Sequence, residues 1–145
     1  MPRFLALTAL LLSLCLATPA LAEDTTLFDR EGTPVAYIVW KDDTLIRLWE
    51  GEPVAKMKGQ QIYGINGRHI GWIIEGIVRD LDGKMVGSLK DALPFTYYRN
   101  DCCKPSPRYY YPKRVYQSPG RSKPYHLSDK WSALRLTELL RRGLD

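Results

Sequence analysis

The chain has 145 residues, 45% of them hydrophobic, and a formal net charge of +5, with only two histidines and three cysteines. Beyond its first residues it has no apolar run near the roughly 20 residues of a membrane-spanning helix, which excludes a multi-span membrane protein. It also lacks G-x-S-x-G, H-E-x-x-H, P-loop and dinucleotide-binding motifs, so the common hydrolase, metalloprotease and nucleotide-binding classes have no support.

Residues 1–22 have the three parts of a secretory signal peptide. Arg3 supplies a positive charge, an apolar run extends from Phe4 to Ala17, and an Ala-Leu-Ala cleavage motif ends at Ala22. The run is too short to span a membrane, which makes an uncleaved anchor helix the weaker alternative. We predict cleavage after Ala22 and a periplasmic or secreted mature protein without a transmembrane segment.

Residues 23–93 contain one pattern four times, centred on Gly32, Gly51, Gly67 and Gly83. Each glycine follows Glu, Asn or Asp and precedes a polar residue, which is typical of tight turns that require a positive φ. The flanking segments are short and rich in Val, Ile, Tyr and Trp, so each unit predicts a hairpin of two short strands. We therefore predict a mainly β fold with eight strands.

One column of the repeat indicates how the hairpins pack. The residue four places after each turn glycine is always small: Ala36, Ala55, Gly71 and Gly87. A single hairpin is marginally stable, whereas four hairpins around a common centre can share one core. We expect the four small residues to meet near one axis, where larger side chains would not fit. An open meander with similar turns is the alternative.

These units resemble the 4-fold beta flower domain family. The resemblance is carried by Leu27-Phe-Asp-Arg-Glu-Gly32, Gly71-Trp72 and Val78-Arg-Asp-Leu-Asp-Gly83, and it covers about residues 27–89. It implies four hairpins arranged like petals around a hub, and it implies no catalytic residue, substrate or cofactor. The second unit departs from the pattern, since Leu48 stands where the first and fourth units have Asp.

Residues 94–127 form a segment rich in proline, tyrosine and basic residues. It has seven Lys and Arg against one acidic residue, a net charge of +6, whereas residues 23–93 have nine against twelve, a net charge of −3. Its prolines predict an extended, irregular conformation. Cationic groups interleaved with tyrosine rings can bind anionic partners. The candidate contact residues are Arg108, Tyr109, Tyr110, Lys113 and Arg114. The alternative is a solvated linker held against the sheet by its tyrosines.

Residues 128–145 predict a short C-terminal helix. Ser128 can cap its start, Trp131, Leu134 and Leu139 or Leu140 recur at helical spacing, and Arg141-Arg142-Gly143 can end it. The apolar face should dock either on the β module or on another chain.

Cleavage of the signal peptide would leave Cys102 and Cys103 as the remaining cysteines. Adjacent Cα atoms are about 3.8 Å apart, closer than in an ordinary disulfide, so a bond between these two would be strained. Bonds to a second copy of the chain and free thiols are the alternatives. A metal site formed with His126 is disfavoured, because adjacent cysteines do not match the usual zinc-ligand spacing.

The other polar candidates are assigned to turns. His69 closely follows a turn glycine and is expected to face solvent. Asp29, Asp80 and Asp82 precede turn glycines, where an Asp side chain accepts hydrogen bonds from nearby amides, so a structural role is favoured over an acid–base pair.

The function predicted from these features is a non-enzymatic module of the cell envelope. Its basic, aromatic segment and terminal helix would contact another envelope protein or an anionic envelope polymer, without a cofactor or metal. Export disfavours nucleic acid as the partner. The alternative is an enzyme or small-ligand protein with its site at the centre of the β module. Self-association through the helix or the cysteine pair stays open.

Overall fold

The computed structural model describes residues 23–106, 118–124 and 126–145. The described chain is mainly β, as predicted, with eight strands and one short helix. The elements are β1 Thr25–Phe28, β2 Pro34–Val39, β3 Leu45–Leu48, β4 Pro53–Lys58, β5 Gln61–Gly64, β6 His69–Ile74, β7 Ile77–Arg79, β8 Met85–Ser88 and α1 Leu136–Arg141.

The strands form a closed antiparallel barrel. Each strand pairs with the next in sequence, and β8 pairs with β1 through Ser88 opposite Phe28. Closure leaves no open sheet edge, and it excludes the open meander.

All four hairpin turns have the same backbone hydrogen bonds. In the first, the Asp29 amide donates to the Thr33 carbonyl over 2.9 Å, and the Gly32 amide donates to the Asp29 carbonyl over 3.0 Å. The equivalent pair of bonds recurs in the other three units. The turn glycines have φ values between 75° and 102°, a region that L-residues with a Cβ rarely adopt. The shared turn geometry explains why glycine occupies this position in every unit.

A β-bulge also recurs at the same place in each hairpin. The register shifts after Leu27, Ile46, Ile62 and Val78, one shift in each unit. Bulges bend a strand and increase its twist, which a small closed barrel requires.

The small residues of the repeat face the barrel interior, each paired with an aliphatic residue of its own hairpin. The pairs are Leu27 with Ala36, Ile46 with Ala55, Ile62 with Gly71 and Val78 with Gly87. A Cβ built on Gly71 would overlap the Arg79 carbonyl oxygen, and one on Gly87 would lie 2.5 Å from the Phe28 carbonyl oxygen. Small residues at these positions therefore leave room for the backbone of the adjacent strand and for the apolar side chains of the core.

The helix α1 packs against β2, β4, β6 and β8 and joins the same core. Leu136, Leu139 and Leu140 are at most 1% exposed. Leu136 lies against Gly87 and Leu139 against Gly71. The helix thus docks on the barrel of its own chain, which is one of the two possibilities that the sequence left open.

The helix begins at Leu136, and the predicted start at Ser128 is wrong. The Met85 amide donates to the Lys130 carbonyl over 3.0 Å, and the Ser132 amide donates to the Met85 carbonyl over 2.8 Å. Trp131 therefore lies beside β8 in a parallel bridge with Met85. These backbone groups bond to a strand, so they are not available for a helix.

We call the described residues 94–106, 118–124 and 126–132 the strap, because they run along the outside of the barrel. Strap amides bond to the carbonyls of three turn glycines: Arg99 to Gly32 over 2.8 Å, Ser118 to Gly67 over 2.9 Å and Ser128 to Gly83 over 3.2 Å. The segment that the sequence treats as a tail is therefore part of the folded unit.

Candidate functional site

The carboxylates of the repeat serve the turns. Asp29 Oδ1 accepts the amides of Glu31 and Thr33 over 3.0 and 2.8 Å. Asp80 Oδ1 accepts the amides of Asp82 and Lys84 over 3.0 and 2.9 Å. These bonds give both aspartates the structural role predicted from their position, and they occupy one oxygen of each carboxylate.

In each unit, one residue points away from the core but is nevertheless buried. It is the residue that directly follows the inward-facing aliphatic residue. These residues are Phe28, Arg47, Tyr63 and Arg79, none more than 7% exposed. In units two and four the arginine Nη1 donates over 2.7 Å to the turn-glycine carbonyl, of Gly51 and Gly83 respectively. Burial lowers the pKa of Arg79. These guanidinium groups secure turns and are not exposed to a ligand.

His69 is buried, with 8% of its surface exposed, so the prediction of a solvent-facing residue is wrong. Its ring lies between Tyr63 and Trp72, with centroid distances of 5.3 and 4.6 Å. Nδ1 accepts the Arg121 amide over 2.9 Å, and Nε2 lies 2.8 Å from the Gly71 carbonyl oxygen. Nδ1 must be unprotonated to accept, so Nε2 carries the proton and donates to Gly71.

The strap covers His69 and holds it away from water. The Ser118 amide and hydroxyl both donate to the Gly67 carbonyl. Gly120 packs closely against the side chains of Gln61 and Tyr63. Desolvation, with a smaller contribution from the charge of Arg121, lowers the pKa of His69. His69 is therefore a neutral anchor for this part of the strap.

The outward surface of the strap is basic and aromatic. Phe95 and Tyr97 are 67% and 86% exposed. Arg99, Arg121 and Lys123 are also exposed. Lys104 differs, since it pairs with Asp24 over 2.8 Å and lies 4.3 Å from the ring centroid of Tyr37. With Lys130, which is exposed as well, the described strap thus presents four exposed cations on a backbone that is fixed at Gly32, His69 and Gly67.

The contact residues predicted from the sequence, Arg108, Tyr109, Tyr110, Lys113 and Arg114, lie outside the described residues. So does the predicted cleavage position after Ala22.

Cys102 and Cys103 are free and exposed. The neighbouring Cys103 side chain raises the pKa of the Cys102 thiol. Within the described residues, no three His, Cys, Asp or Glu side chains are grouped closely enough to hold a metal ion.

A cleft of about 300 Å³ lies between the first hairpin turn and the end of the strap. Asp29, Arg30 and Glu31 line one side of it, and residues 131–137 line the other. The Arg30 guanidinium lies 5.6 Å from the ring centroid of Trp131. No local sequence pattern indicates this cleft, because its two sides are about 100 residues apart in the chain.

The barrel, strap and helix can now be compared with known proteins. A family model described as 4-fold beta flower protein matches residues 25–140. The chain belongs to this family. The match extends well beyond the residues 27–89 that carry the sequence resemblance, so the beta-flower module includes the described strap and most of the helix. Neither the search of curated proteins nor the search of solved structures finds a match.

Among the described residues, the centre of the beta-flower module is apolar and buried. Apolar side chains from the strands and from α1 form one continuous core there. Within the described ranges, no helix is long and apolar enough to cross a membrane.

Proposed function

We propose that this beta-flower protein is an exported, non-enzymatic binding module whose strap contacts an anionic partner of the cell envelope. The observation that carries the proposal is the separation of charge. Residues 94–127 have seven Lys and Arg against one acidic residue, whereas residues 23–93 have nine against twelve. A positive strip on a barrel of opposite charge favours one orientation toward an anionic surface.

The conformation of the strap supports this proposal. Backbone bonds to Gly32, Gly67 and His69 fix the strap without using its cationic side chains. Arg99, Arg121 and Lys123 consequently stay exposed. Phe95 and Tyr97 add exposed aromatic area, which can enter an apolar or interfacial region of the partner. Because its backbone is already fixed, the strap loses little backbone conformational entropy on binding.

The proposal is tested with the mature chain, residues 23–145. Binding to vesicles of pure phosphatidylcholine and of phosphatidylcholine with phosphatidylglycerol, and to purified lipopolysaccharide, is measured by co-sedimentation at low and high salt. We expect binding to the anionic samples that weakens as salt increases. The triple variant Arg99→Ala, Arg121→Ala, Lys123→Ala should reduce binding at least about tenfold, at roughly 1 kcal/mol for each cation near an anionic surface.

A matched variant removes the same charge elsewhere. Lys41, Lys84 and Lys90 are exposed and lie outside the strap, and their replacement by Ala changes the net charge equally. This control should bind like the unmodified protein. An equal loss in the two triple variants would mean that net charge alone attracts the protein, and the strap would then have no specific role.

Export is a separate part of the proposal with its own measurement. The intact mass of the protein recovered from the periplasm or medium should correspond to a chain that begins at Glu23. Recovery of the uncleaved chain in the cytoplasm would contradict it.

A further inference from the structure

The cleft between the first turn and the end of the strap lies where the four-fold pattern is broken. Two places before the turn glycine, units two, three and four have the apolar residues Trp49, Ile65 and Leu81, whereas unit one has Arg30. The amides of Trp49 and Ile65 donate to the carbonyls of Val35 and Val54 in the preceding hairpin. This position therefore lies beside the neighbouring unit.

In unit one, the neighbouring hairpin is the fourth, and its Val86 lines the cleft together with Arg30. The valine is 2% exposed and belongs to the core. A charged residue thus replaces an apolar one at a junction next to the core. A departure from an otherwise consistent repeat is expected at functional positions.

The cleft combines three kinds of binding group. Arg30 and Arg135 provide two guanidinium groups, and both residues are exposed. Trp131 provides an indole ring that is half-buried, with Arg30 near its face. Glu31 is an exposed acceptor at the rim, while one carboxylate oxygen of Asp29 is already occupied by two amides.

We propose that this cleft binds an acidic saccharide, with a carboxylate on the guanidinium groups and a sugar ring against Trp131. Guanidinium and carboxylate groups form strong, charge-assisted hydrogen bonds. Hydroxyl groups of the sugar can bond to Glu31 and to the hydroxyl of Thr137, which also lines the cleft. A volume of about 300 Å³ is at the lower limit for ligand sites and suits a single sugar ring.

Two other ligands fit less well. A small inorganic anion would use the guanidinium groups but not the indole ring. A neutral sugar would have no carboxylate to form charge-assisted hydrogen bonds with the two guanidinium groups. The cleft does not contain Arg99, Arg121 or Lys123, the cations on which the proposed function is tested, so this proposal stands independently of the proposed function.

The test is an NMR titration of the mature chain with methyl glucuronide, methyl glucoside and inorganic phosphate. Methyl glucuronide has a carboxylate where methyl glucoside has a hydroxymethyl group, and the two are otherwise identical. Comparing them therefore isolates the contribution of the carboxylate. The indole Nε1–H signal of Trp131, assigned with Trp131→Phe, is followed among the four tryptophans. We expect methyl glucuronide to shift this signal, and we expect the other two probes to bind at least about tenfold more weakly. A hydrogen bond between charged groups contributes enough binding free energy for that ratio.

Two variants complete the test. Arg30→Gln removes a cleft guanidinium and should weaken the methyl glucuronide response about tenfold or more. Arg68→Gln removes an exposed arginine from the third turn and should leave the response unchanged. Equal responses to the glucoside or to phosphate would overturn the proposal, as would wild-type binding by Arg30→Gln. Loss of binding in the strap triple variant, with Arg30→Gln unaffected, would place the ligand on the strap instead.

Discussion

Replacing His69 by Phe should destabilise the module at neutral pH and remove part of its pH dependence. Phe keeps an aromatic ring between Tyr63 and Trp72 but can neither accept from the Arg121 amide nor donate to the Gly71 carbonyl. Each net hydrogen bond contributes about 0.5–1.5 kcal/mol, so the loss is about 1–3 kcal/mol at pH 7.5. For a domain of this size, 1 kcal/mol corresponds to a decrease in Tm of about 4 °C or more.

The pH dependence follows from the lowered pKa of His69. Burial is the main cause, and the Arg121 side chain acts in the same direction, whereas the bond to the Gly71 carbonyl opposes it. The unfolded chain therefore takes up a proton at a higher pH than the folded chain. Stability is complete above about pH 6.5 and decreases as the pH falls from there toward the folded pKa.

Urea unfolding at pH 7.5, 6.5, 5.5 and 5.0 measures this effect. The free energy of unfolding of the unmodified protein should decrease across the series, and that of His69→Phe should decrease less, so the two curves converge at low pH. Hydrogen exchange at the Arg121 amide should accelerate in the variant. The variant His126→Gln alters the other histidine and serves as the control. Parallel curves for wild type and His69→Phe would refute the assignment of a neutral, strap-anchoring His69.

Three further substitutions test the fold, and a mass measurement tests the state of the cysteine pair. Gly87→Ala places a Cβ 2.5 Å from the Phe28 carbonyl oxygen and 2.8 Å from Leu136; thermal unfolding should show a loss of about 1–3 kcal/mol. Leu139→Ala should cost about 2–5 kcal/mol in urea unfolding, whereas Leu144→Ala, at a residue 41% exposed, should have little effect. Asp80→Ala removes the acceptor of two turn amides and should cost about 1–2 kcal/mol in the same assay, with Asp82→Ala as the milder comparison. For the cysteine pair, free thiols as in the structure predict the same intact mass with and without reductant; a mass about 2 Da lower without reductant would mean a bond between Cys102 and Cys103, and a doubled mass would mean that they join two chains.

The local features of the barrel were predictable from the sequence, because each depends on residues close together in the chain. A turn glycine needs a positive φ, and Asp29 and Asp80 bond to amides two and four residues away. The alternation of small and aliphatic residues indicated which faces would be buried. These signals recur four times, which made the eight strands and the family resemblance apparent.

The predictions that failed concern residues whose surroundings come from distant parts of the chain. His69 was expected in solvent because its own unit resembles a turn, but it is covered by Arg121, 52 residues later. The helix was extended to Ser128 because Trp131 fits a helical spacing, but the backbone on either side of Trp131 bonds to Met85 in β8. In both cases a long-range backbone hydrogen bond outweighed a local pattern.

The cleft also depends on contacts between distant parts of the chain, which local sequence patterns do not indicate. The sequence by itself determined the four hairpins, the burial of their inner faces and the charge of the strap, since composition and short-range periodicity encode these directly. Only the tertiary structure decided that the sheet closes, that α1 joins its core, and that Arg30 lies beside Trp131. Barrel closure brings units one and four together, and that contact places Arg30 on one side of the cleft.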